Sequence, residues 1–211
     1  MTICLQLDHV NYSYGAAKIR VLSDVNADFE SGKMYAITGP SGAGKSTLLS
    51  LLAGLDAPSD GVVRFEGEDI ATTGYSKHRC EHVSLVFQDH NLIDYLTPEE
   101  NLRLVNPKAD MKILEDLGLS REESKRNIMH LSGGQRQRVA VGRALVAPGR
   151  AILADEPTGS LDPEMTDEVI DLLRHAAHQL GKCVIVVTHS KRVADSADAV
   201  YTLRHKKLAK A

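Results

Sequence analysis

The chain has 211 residues, enough for one domain with a sizeable core but too few for two complete catalytic modules. Twenty-five Lys and Arg residues against 28 Asp and Glu residues give a net charge of -3, so no polyanion-binding surface is predicted and no nucleic-acid partner is expected. Hydrophobic residues make up 43% of the chain, and no apolar run approaches the roughly 18–20 residues that span a bilayer. The composition therefore predicts one globular domain, 1–211, that does not itself cross a membrane.

The amino-terminal segment and the cysteines indicate the compartment. Met1–Val10 lacks a basic start, an apolar stretch of signal-peptide type and a small-residue cleavage site, so we expect a cytoplasmic protein. Cys4, Cys80 and Cys183 are odd in number and lack CxxC spacing. They are predicted to be isolated structural cysteines, with neither a disulfide framework nor a zinc site.

Short apolar, β-branched runs alternate with helical patterns along the chain. The predicted strands are Leu5–Val10, Val21–Phe29, Met34–Thr38, Val62–Phe65, Val83–Phe87, Ala151–Asp155, Cys183–Thr188 and Ala199–Leu203. The predicted helices are Lys45–Ala53, Pro98–Val105, Met111–Leu117, Gly133–Ala147, Pro163–Leu180 and Lys191–Ala197. Continuously apolar strands fit a parallel sheet covered on both faces, which predicts an α/β fold. The alternation fails between about 88 and 130, where a small helical subdomain is predicted to be inserted.

Two groups of polar residues are predicted to lie at the surface. His78, His82 and His90 do not have metal-ligand spacing and stand among polar residues. The basic tail His205–Lys210 is predicted to be a solvated end of the chain rather than a lipid contact.

A glycine-rich segment follows the third predicted strand and opens a helix. It reads Gly39-Pro40-Ser41-Gly42-Ala43-Gly44-Lys45-Ser46-Thr47, which fits the G-x-x-x-x-G-K-[ST] pattern. Its glycines let backbone N–H groups turn toward an anion and the helix N-terminus adds partial positive charge, so it is predicted to bind nucleotide phosphates. Lys45 is predicted to neutralise the β and γ phosphates, and the Ser46 hydroxyl to coordinate Mg²⁺.

Two adjacent carboxylates end the apolar strand Ala151–Asp155. Asp155 stands at the carboxyl end of a strand predicted to lie beside the glycine-rich segment, where it can hold the Mg²⁺ shell. Glu156 points differently and is predicted to orient, or accept a proton from, the water that attacks the γ phosphate.

A second anion site is predicted at Leu131-Ser132-Gly133-Gly134-Gln135. Ser132, Gly133 and Gly134 open a helix and present a hydroxyl and bare backbone N–H groups at its positive end. One chain with two phosphate sites and one nucleotide suggests that the second site serves another subunit.

With these motifs in this order, the sequence resembles the ATP-binding cassette (ABC) ATPases, whose signature motif is the pentapeptide 131–135. The resemblance runs from Leu5 to Leu203. It implies a P-loop NTPase (RecA-like) core with an amino-terminal antiparallel β subdomain and an inserted α-helical subdomain. It also implies hydrolysis of ATP to ADP and phosphate, with ATP and Mg²⁺ bound.

The resemblance gives roles to further residues. Tyr14 aligns with the aromatic residue that stacks on adenine, with Tyr12 as an alternative and packing at a strand end as another interpretation. Gln88 matches the glutamine that contacts Mg²⁺ and the attacking water. Asp162, in Ser160-Leu161-Asp162, matches the loop that crosses the dimer interface, and His189 matches the histidine that bonds the γ phosphate.

The resemblance also implies two partners. In a head-to-tail dimer of two copies, ATP on 39–47 of one chain is covered by Ser132, Gly133, Gly134 and Gln135 of the other. A separate transmembrane permease is expected to insert a helix between Gln88 and the helical subdomain, which places the chain at the cytoplasmic face of the cell membrane. Leu92, Ile93 and Tyr95 either contact that helix or pack inside the domain.

The segment 157–162 resembles the branch of lipoprotein-releasing, macrolide-export, antimicrobial-peptide-resistance and cell-division ATPases. The leading hypothesis is the motor subunit of an export or extraction machine. A mechanotransmitting or cell-division ATPase and a solute-importer ATPase are the alternatives. A soluble nucleic-acid or chromosome ATPase is disfavoured because no long insertion splits the motifs. The stretch between Asn101 and Leu131 is short for this branch, so the helical subdomain is predicted to be reduced.

Overall fold

The computed structural model describes residues 2–15 and 18–211, and its strands and helices alternate along the chain. The strands are β1 (Ile3–Tyr14), β2 (Ile19–Glu30), β3 (Met34–Thr38), β4 (Asp60–Phe65), β5 (Glu68–Asp69), β6 (Val83–Val86), β7 (Ala151–Asp155), β8 (Cys183–Val187), β9 (Ala199–Arg204) and β10 (Lys207–Lys210). The helices are α1 (Lys45–Leu52), α2 (Ile70–Thr73), α3 (Tyr75–Lys77), α4 (Pro98–Val105), α5 (Lys112–Asp116), α6 (Gly133–Val146), α7 (Pro163–His178) and α8 (Lys191–Asp195). A π-helical turn covers His78–His82, and 3₁₀ turns cover Glu123–Lys125 and Ile128–His130.

The larger sheet has six strands in the order β10-β9-β3-β8-β7-β6. The five strands from β9 to β6 are parallel, and β10 pairs antiparallel with β9. Every residue of β8 is buried, as a strand in a sheet covered on both faces must be. Because these strands are parallel, their carboxyl ends lie along one edge of the sheet.

The smaller sheet is antiparallel, with strands in the order β2-β1-β4-β5. In β1, Leu5, Leu7 and Val10 are buried while intervening residues face outward, the alternation typical of a sheet with one solvated face. Gly61 of β4 has φ +83, and a Cβ there would lie 2.3 Å from the carbonyl oxygen of His9. The close approach of the two strands therefore requires glycine at this position.

Two hydrophobic cores cover the two faces of the larger sheet. On one face, the leucines of α1 pack with the inner face of the small sheet and with Ala151 and Leu153 of β7. On the other, α6 and α7 pack with Ile152 and Ala154 of the same strand. Successive strand residues thus serve opposite cores. This mixed α/β architecture, with an antiparallel β layer and packed helices, confirms the predicted fold class.

The segment 88–130, described throughout, contains helices and turns and no strand. Its best-defined helix, α4, begins with a capping box: the Thr97 hydroxyl accepts from the Glu100 N–H, and the Glu100 carboxylate accepts from the Thr97 N–H. Leu102 and Leu114 anchor this segment in the second core. Within the described ranges, no helix is both long and apolar enough to cross a bilayer.

Of the surface predictions, the one for His78 is wrong. The basic tail is largely exposed, as predicted, although it also forms a strand: β10 pairs with β9, and the Ser23 N–H donates to the Lys206 carbonyl. His78 is fully buried. Its Nε2 donates to the Leu52 carbonyl at 2.9 Å, and its Nδ1 lies 3.3 Å from Nδ1 of His82. His82 and His90 are half-buried. These contacts come from residues distant in sequence, which local polarity does not reveal.

The three cysteines are free thiols. Cys4 of β1 and Cys183 of β8 are fully buried, as expected of structural cysteines. Only Cys80 is exposed among these free thiols.

Phe29 of β2 is one of the residues that pack between the two sheets. Its ring is fully buried and lies 5.1 Å from Tyr35 of β3 and 5.6 Å from Tyr201 of β9, measured between ring centroids. Phe29→Ala should lower the free energy of unfolding by about 3–5 kcal/mol through lost burial and a cavity. Ile19→Ala, at a side chain 66% exposed on the same strand, is the control and should change it by less than about 0.5 kcal/mol. Equal urea midpoints for the two variants would contradict this assignment.

Candidate functional site

The glycine-rich segment forms a loop between β3 and α1. Gly44 is the N-cap residue of α1 and is left-handed, with φ 101. Because it has no side chain, the N–H groups of the first turn have no side-chain acceptor at this position. The buried Lys45 ammonium folds back over the loop, donating to the carbonyl oxygens of Gly39 at 2.9 Å and Pro40 at 3.1 Å. The loop thus presents backbone N–H groups and one cation at a helix N-terminus, an anion-binding arrangement.

Tyr14 lies beside this loop. Its hydroxyl is 2.9 Å from the Thr47 hydroxyl, and its ring is 48% exposed. A cavity of about 300 Å³ is lined by Tyr14, Val21, Gly42, Gly44, Lys45, Ser46 and Thr47. Tyr12, by contrast, is buried, bonds through its hydroxyl to Asp56, and supports the Tyr14 ring edge-to-face at 4.9 Å. Of the two tyrosines, only Tyr14 offers an open ring face at the loop.

Polar side chains follow successive strands of the larger sheet at its carboxyl edge. The loop 39–44 follows β3, His189 follows the neighbouring β8, Asp155 ends β7, and Gln88 follows β6. Asp155 is directly opposite Val187 in the β7–β8 register. Strand order therefore brings together four positions that are up to 150 residues apart in sequence (39 to 189).

Glu156 is held in a strained conformation just beyond β7. Its φ is 48, in a region that residues with a Cβ rarely adopt, and its N–H donates to the Val187 carbonyl at 2.9 Å. Oε2 accepts from the Thr188 hydroxyl and the His189 N–H, each at 3.2 Å. Oε1 is buried and lacks a hydrogen-bond partner among the described residues. One oxygen of this carboxylate is thus fixed and the other is free to accept.

His189 stands between the glutamate and the lysine. Its Nε2 lies 3.7 Å from Glu156 Oε1 and 3.3 Å from Lys45 Nζ. Because an ammonium can only donate, Nε2 of His189 is the acceptor in the second contact. The imidazole thereby links the ends of β7 and β8 to the glycine-rich loop.

The second predicted anion site, 131–135, lies at the start of α6. Ser132 and Gln135 form a capping box, in which the Ser132 hydroxyl accepts from the Gln135 N–H at 3.2 Å. Gly134 packs against Ser160, whose carbonyl oxygen would be 3.4 Å from a Cβ there. Asp162 caps α7 by accepting from the Met165 N–H at 2.9 Å. In the described part of the chain, residues 131–135 do not line the cavity beside the glycine-rich loop.

The residues expected to hold Mg²⁺ supply oxygen donors. They are the Ser46 hydroxyl, the Asp155 carboxylate and the Gln88 amide, the ligand types that Mg²⁺ prefers. Ser46 and Gln88 are exposed and Asp155 is half-buried, so water can complete a coordination shell. The described residues contain no group of three or more His, Cys, Asp or Glu side chains arranged for a metal.

Comparison with known proteins decides the family. Residues 22–159 match the family model described as ABC transporter. The chain belongs to the ABC transporter family. It is 37% identical to YclH of Bacillus subtilis, an ABC transporter ATP-binding protein, over 92% of this chain and 90% of that one. It is also 38% identical to MacB of Escherichia coli K12, a macrolide export ATP-binding/permease protein, over 97% of this chain but 34% of MacB.

Solved structures show the same relationship. The dimeric structure of MJ0796, a bacterial ABC transporter cassette, superposes with a TM-score of 0.90 at 32% identity, covering 98% of both chains. A post-hydrolysis state of MJ0796 bound to ADP and Pi superposes with a TM-score of 0.88. The chain is thus an ATP-binding, ATP-hydrolysing cassette of the ABC type. It spans about a third of the length of the MacB proteins that it matches.

Two residues of this ABC cassette site were not found from sequence. Thr188 fixes Glu156, and Asp56 fixes Tyr12 beneath Tyr14. Neither belongs to a motif, and each acts through a contact between segments distant in sequence. Of the apolar residues proposed for a partner contact, Tyr95 is 80% exposed, Ile93 is half-buried and Leu92 packs against the second core.

The glycine-rich loop of the cassette tolerates a Cβ unequally along its length. At Gly44, with φ +101, a Cβ would lie 2.6 Å from Val21 Cγ1, whereas at Gly42, with φ +73, no atom of the described residues lies within 4 Å. Without nucleotide, Gly42→Ala should cost about 1–2 kcal/mol of unfolding free energy from its backbone conformation alone. Gly44→Ala should cost about 1–3 kcal/mol more, because Val21 must move. Thermal unfolding of both apo variants measures the difference, and equal melting temperatures would contradict it.

Proposed function

We propose that this chain is the motor subunit of a membrane export or extraction machine, in which two copies close on ATP and drive separate permease subunits. The observation that carries the catalytic part is the arrangement of Glu156, His189 and Lys45 at the sheet edge. A buried carboxylate oxygen without a partner lies 3.7 Å from an imidazole that itself contacts the loop lysine.

The residues of the loop bind the phosphates. The backbone N–H groups of 39–47 surround the β phosphate, and the Lys45 ammonium turns from the Gly39 and Pro40 carbonyls to the β and γ phosphates. Because Lys45 Nζ already contacts His189, the γ phosphate comes within reach of both. Tyr14 stacks on the adenine with its exposed ring face.

The Mg²⁺ site is formed by Ser46, Asp155 and Gln88. When bound, the ion neutralises charge on the β and γ phosphate oxygens. Asp155 ends β7 and Gln88 follows the neighbouring strand β6, so both lie at the same edge of the sheet.

Glu156 orients the attacking water. Oε2 is held by the Thr188 hydroxyl and the His189 N–H, which leaves Oε1 to accept a hydrogen bond from water. The water attacks the γ phosphorus in line, the bond to the β–γ bridging oxygen breaks, and ADP and phosphate leave. The positive φ of Glu156 is the strain that this orientation requires.

A second copy completes the site. Residues 131–135 do not line the cavity beside the glycine-rich loop of their own chain, yet they place the Ser132 hydroxyl and Gly133 and Gly134 N–H groups at the N-terminus of α6. In a head-to-tail pair, with Ser160–Asp162 at the interface, these groups bind the γ phosphate on the partner. Hydrolysis removes that shared contact, and the pair reopens by population shift.

A permease binds the groove beside β6 and α4. This cavity, of about 460 Å³, is lined by apolar and basic residues: Arg79, Cys80, Val83, Ser84, Leu85, Phe87, Leu104, Val105, Arg143, Ala144, Ala147, Pro148 and Gly149. Leu104 is 60% exposed on its rim, an apolar side chain suited to a partner helix. Binding there places the chain on the cytoplasmic face of the membrane. The similarity to the MacB proteins over nearly the whole chain favours an export or extraction partner over solute import.

Glu156→Gln tests the catalytic proposal. The variant should bind MgATP as the wild type does but hydrolyse it about 10²–10⁴-fold more slowly, because the amide is a weaker base. It should also persist as a dimer in MgATP at high protein concentration. Phosphate release and light scattering measure the two effects, with the exposed Glu164→Gln on α7 as the control. A variant that binds MgATP and is monomeric throughout would overturn the paired-site proposal, and wild-type turnover would overturn the role of Glu156.

Leu104→Asp tests the permease groove. The tagged wild-type chain, purified from detergent-solubilised membranes of its own cell, should retain a membrane-spanning protein that mass spectrometry identifies. Leu104→Asp should lose it, since the charge disfavours an apolar contact. Leu180→Asp, at a side chain 58% exposed on a different surface, is the matched control and should retain it. Equal recovery in all three would contradict this groove, and DNA-stimulated hydrolysis without a membrane partner would favour a nucleic-acid ATPase.

A further inference from the structure

Arg143, on the helix that begins with the 131–135 motif, contacts the segment that follows Gln88. Its Nη1 donates to the Asn91 carbonyl at 2.8 Å and its Nη2 lies 3.4 Å from the His90 carbonyl. One planar guanidinium therefore reaches two successive carbonyl groups.

The Arg143 guanidinium lacks an acidic partner. It is half-buried, and burial lowers its pKa from the ordinary value. None of the ion pairs formed by the described residues includes it. Carbonyl oxygens replace only part of the hydration that a cation loses on burial. Stabilisation of the fold therefore does not by itself explain a guanidinium at this position.

The segment that Arg143 holds is a tight and strained turn. The His90 N–H donates to the Phe87 carbonyl at 3.2 Å, and the Asn91 N–H donates to the Asp89 carbonyl at 2.6 Å. His90 and Asn91 have φ values of 62 and 48, two successive left-handed residues without a glycine. The turn encloses Gln88. The two carbonyls bound by Arg143 belong to the two left-handed residues, so the side chain acts where the backbone is least stable by itself.

Arg143 also lines the groove between β6 and α4, beside Phe87 and Leu104. The same side chain therefore touches the groove and the turn.

We propose that Arg143 is a positioning residue that holds the Phe87–Asn91 turn, and with it Gln88, and ties this turn to the groove. The inference rests on the proposed function, since it assigns Gln88 to the hydrolysis site. A partner bound in the groove changes the contacts of the Arg143 guanidinium, and these contacts determine how firmly the turn is held.

Arg143→Met and Arg138→Met in the full chain test the first step. Arg138 is the matched control, because it lies on the same helix and donates to the Leu117 and Gly118 carbonyls at 2.8 and 3.1 Å. Arg143→Met should lower kcat about ten- to hundredfold while KM for ATP stays within about twofold, since the phosphate loop is untouched. Hydrogen exchange at the amides of 88–92 should accelerate in this variant alone. Arg143→Lys keeps the charge but cannot span both carbonyls, so it should be intermediate, and it carries the test if the Met variant unfolds.

A double-mutant cycle separates positioning from general damage. If Arg143 acts through Gln88, Arg143→Met should slow the Gln88→Ala variant by no more than about twofold. Additive losses, or unchanged exchange at 88–92, would overturn this inference while leaving the proposed function intact. Wild-type turnover of Gln88→Ala would instead overturn the role proposed for Gln88, and this inference with it.

A separate experiment tests the link between Arg143 and the groove. Cys80 is an exposed thiol in the groove, whereas Cys4 and Cys183 are buried, so a bulky maleimide labels the groove selectively. Labelling should change kcat of the wild type by at least about twofold and leave kcat of Arg143→Met unchanged. The control is Cys80→Ser treated with the same maleimide, because it lacks the thiol in the groove. An equal effect of labelling in both backgrounds, or no effect in either, would overturn the link.

Discussion

The parallel pairing of β3, β8, β7 and β6 is the constraint on which the rest of this structure depends. Parallel strands end at the same edge of a sheet, so the segments that follow them must meet there. The phosphate loop, His189, Asp155 with Glu156, and Gln88 are each the continuation of one of these strands. The strands are continuously buried, and their hydrogen-bond register fixes the order in which these groups stand. The chemistry of the site is thus a consequence of backbone pairing in the core.

Around this edge the chain holds several backbone conformations that residues with a Cβ rarely adopt. Gly44 adopts φ 101 in the loop, Glu156 has φ 48, and His90 and Asn91 are both left-handed. Glu156 and the turn are held by contacts from other segments: Val187 and His189 for the glutamate, and Arg143 for the turn. A rigid sheet supports strained loops, and the loops carry the reactive groups.

In the proposed function, one chain supplies only half of each nucleotide site. The motif at 131–135 begins a helix that packs on the face of the sheet opposite α1, and its residues do not line the cavity beside the loop 39–47 in the described part of the chain. The groove between β6 and α4 lies next to the turn that carries Gln88, and Arg143 belongs to both. In the proposed function, the nucleotide, the second copy and the membrane partner would all contact these connected elements.

Most of the fold was accessible from the sequence because its signals are local. The bounds of β3, β7 and α4 match those predicted from buried apolar runs and start signals, and the loop 39–47 is defined by consecutive residues. The short β5 and β10 were missed, because segments of two and four residues become strands only when a neighbouring strand pairs with them.

Within the site, the sequence determined which residue types could do the chemistry and that strands would deliver them to one edge. It left Tyr12 and Tyr14 as alternatives, and only the fold separated them, by burying Tyr12 against Asp56. It gave no sign of Arg143 or of the burial of His78, because each depends on carbonyl groups more than 20 positions away. Motif spacing is encoded along the chain, whereas the partners that orient a side chain are set by packing in three dimensions.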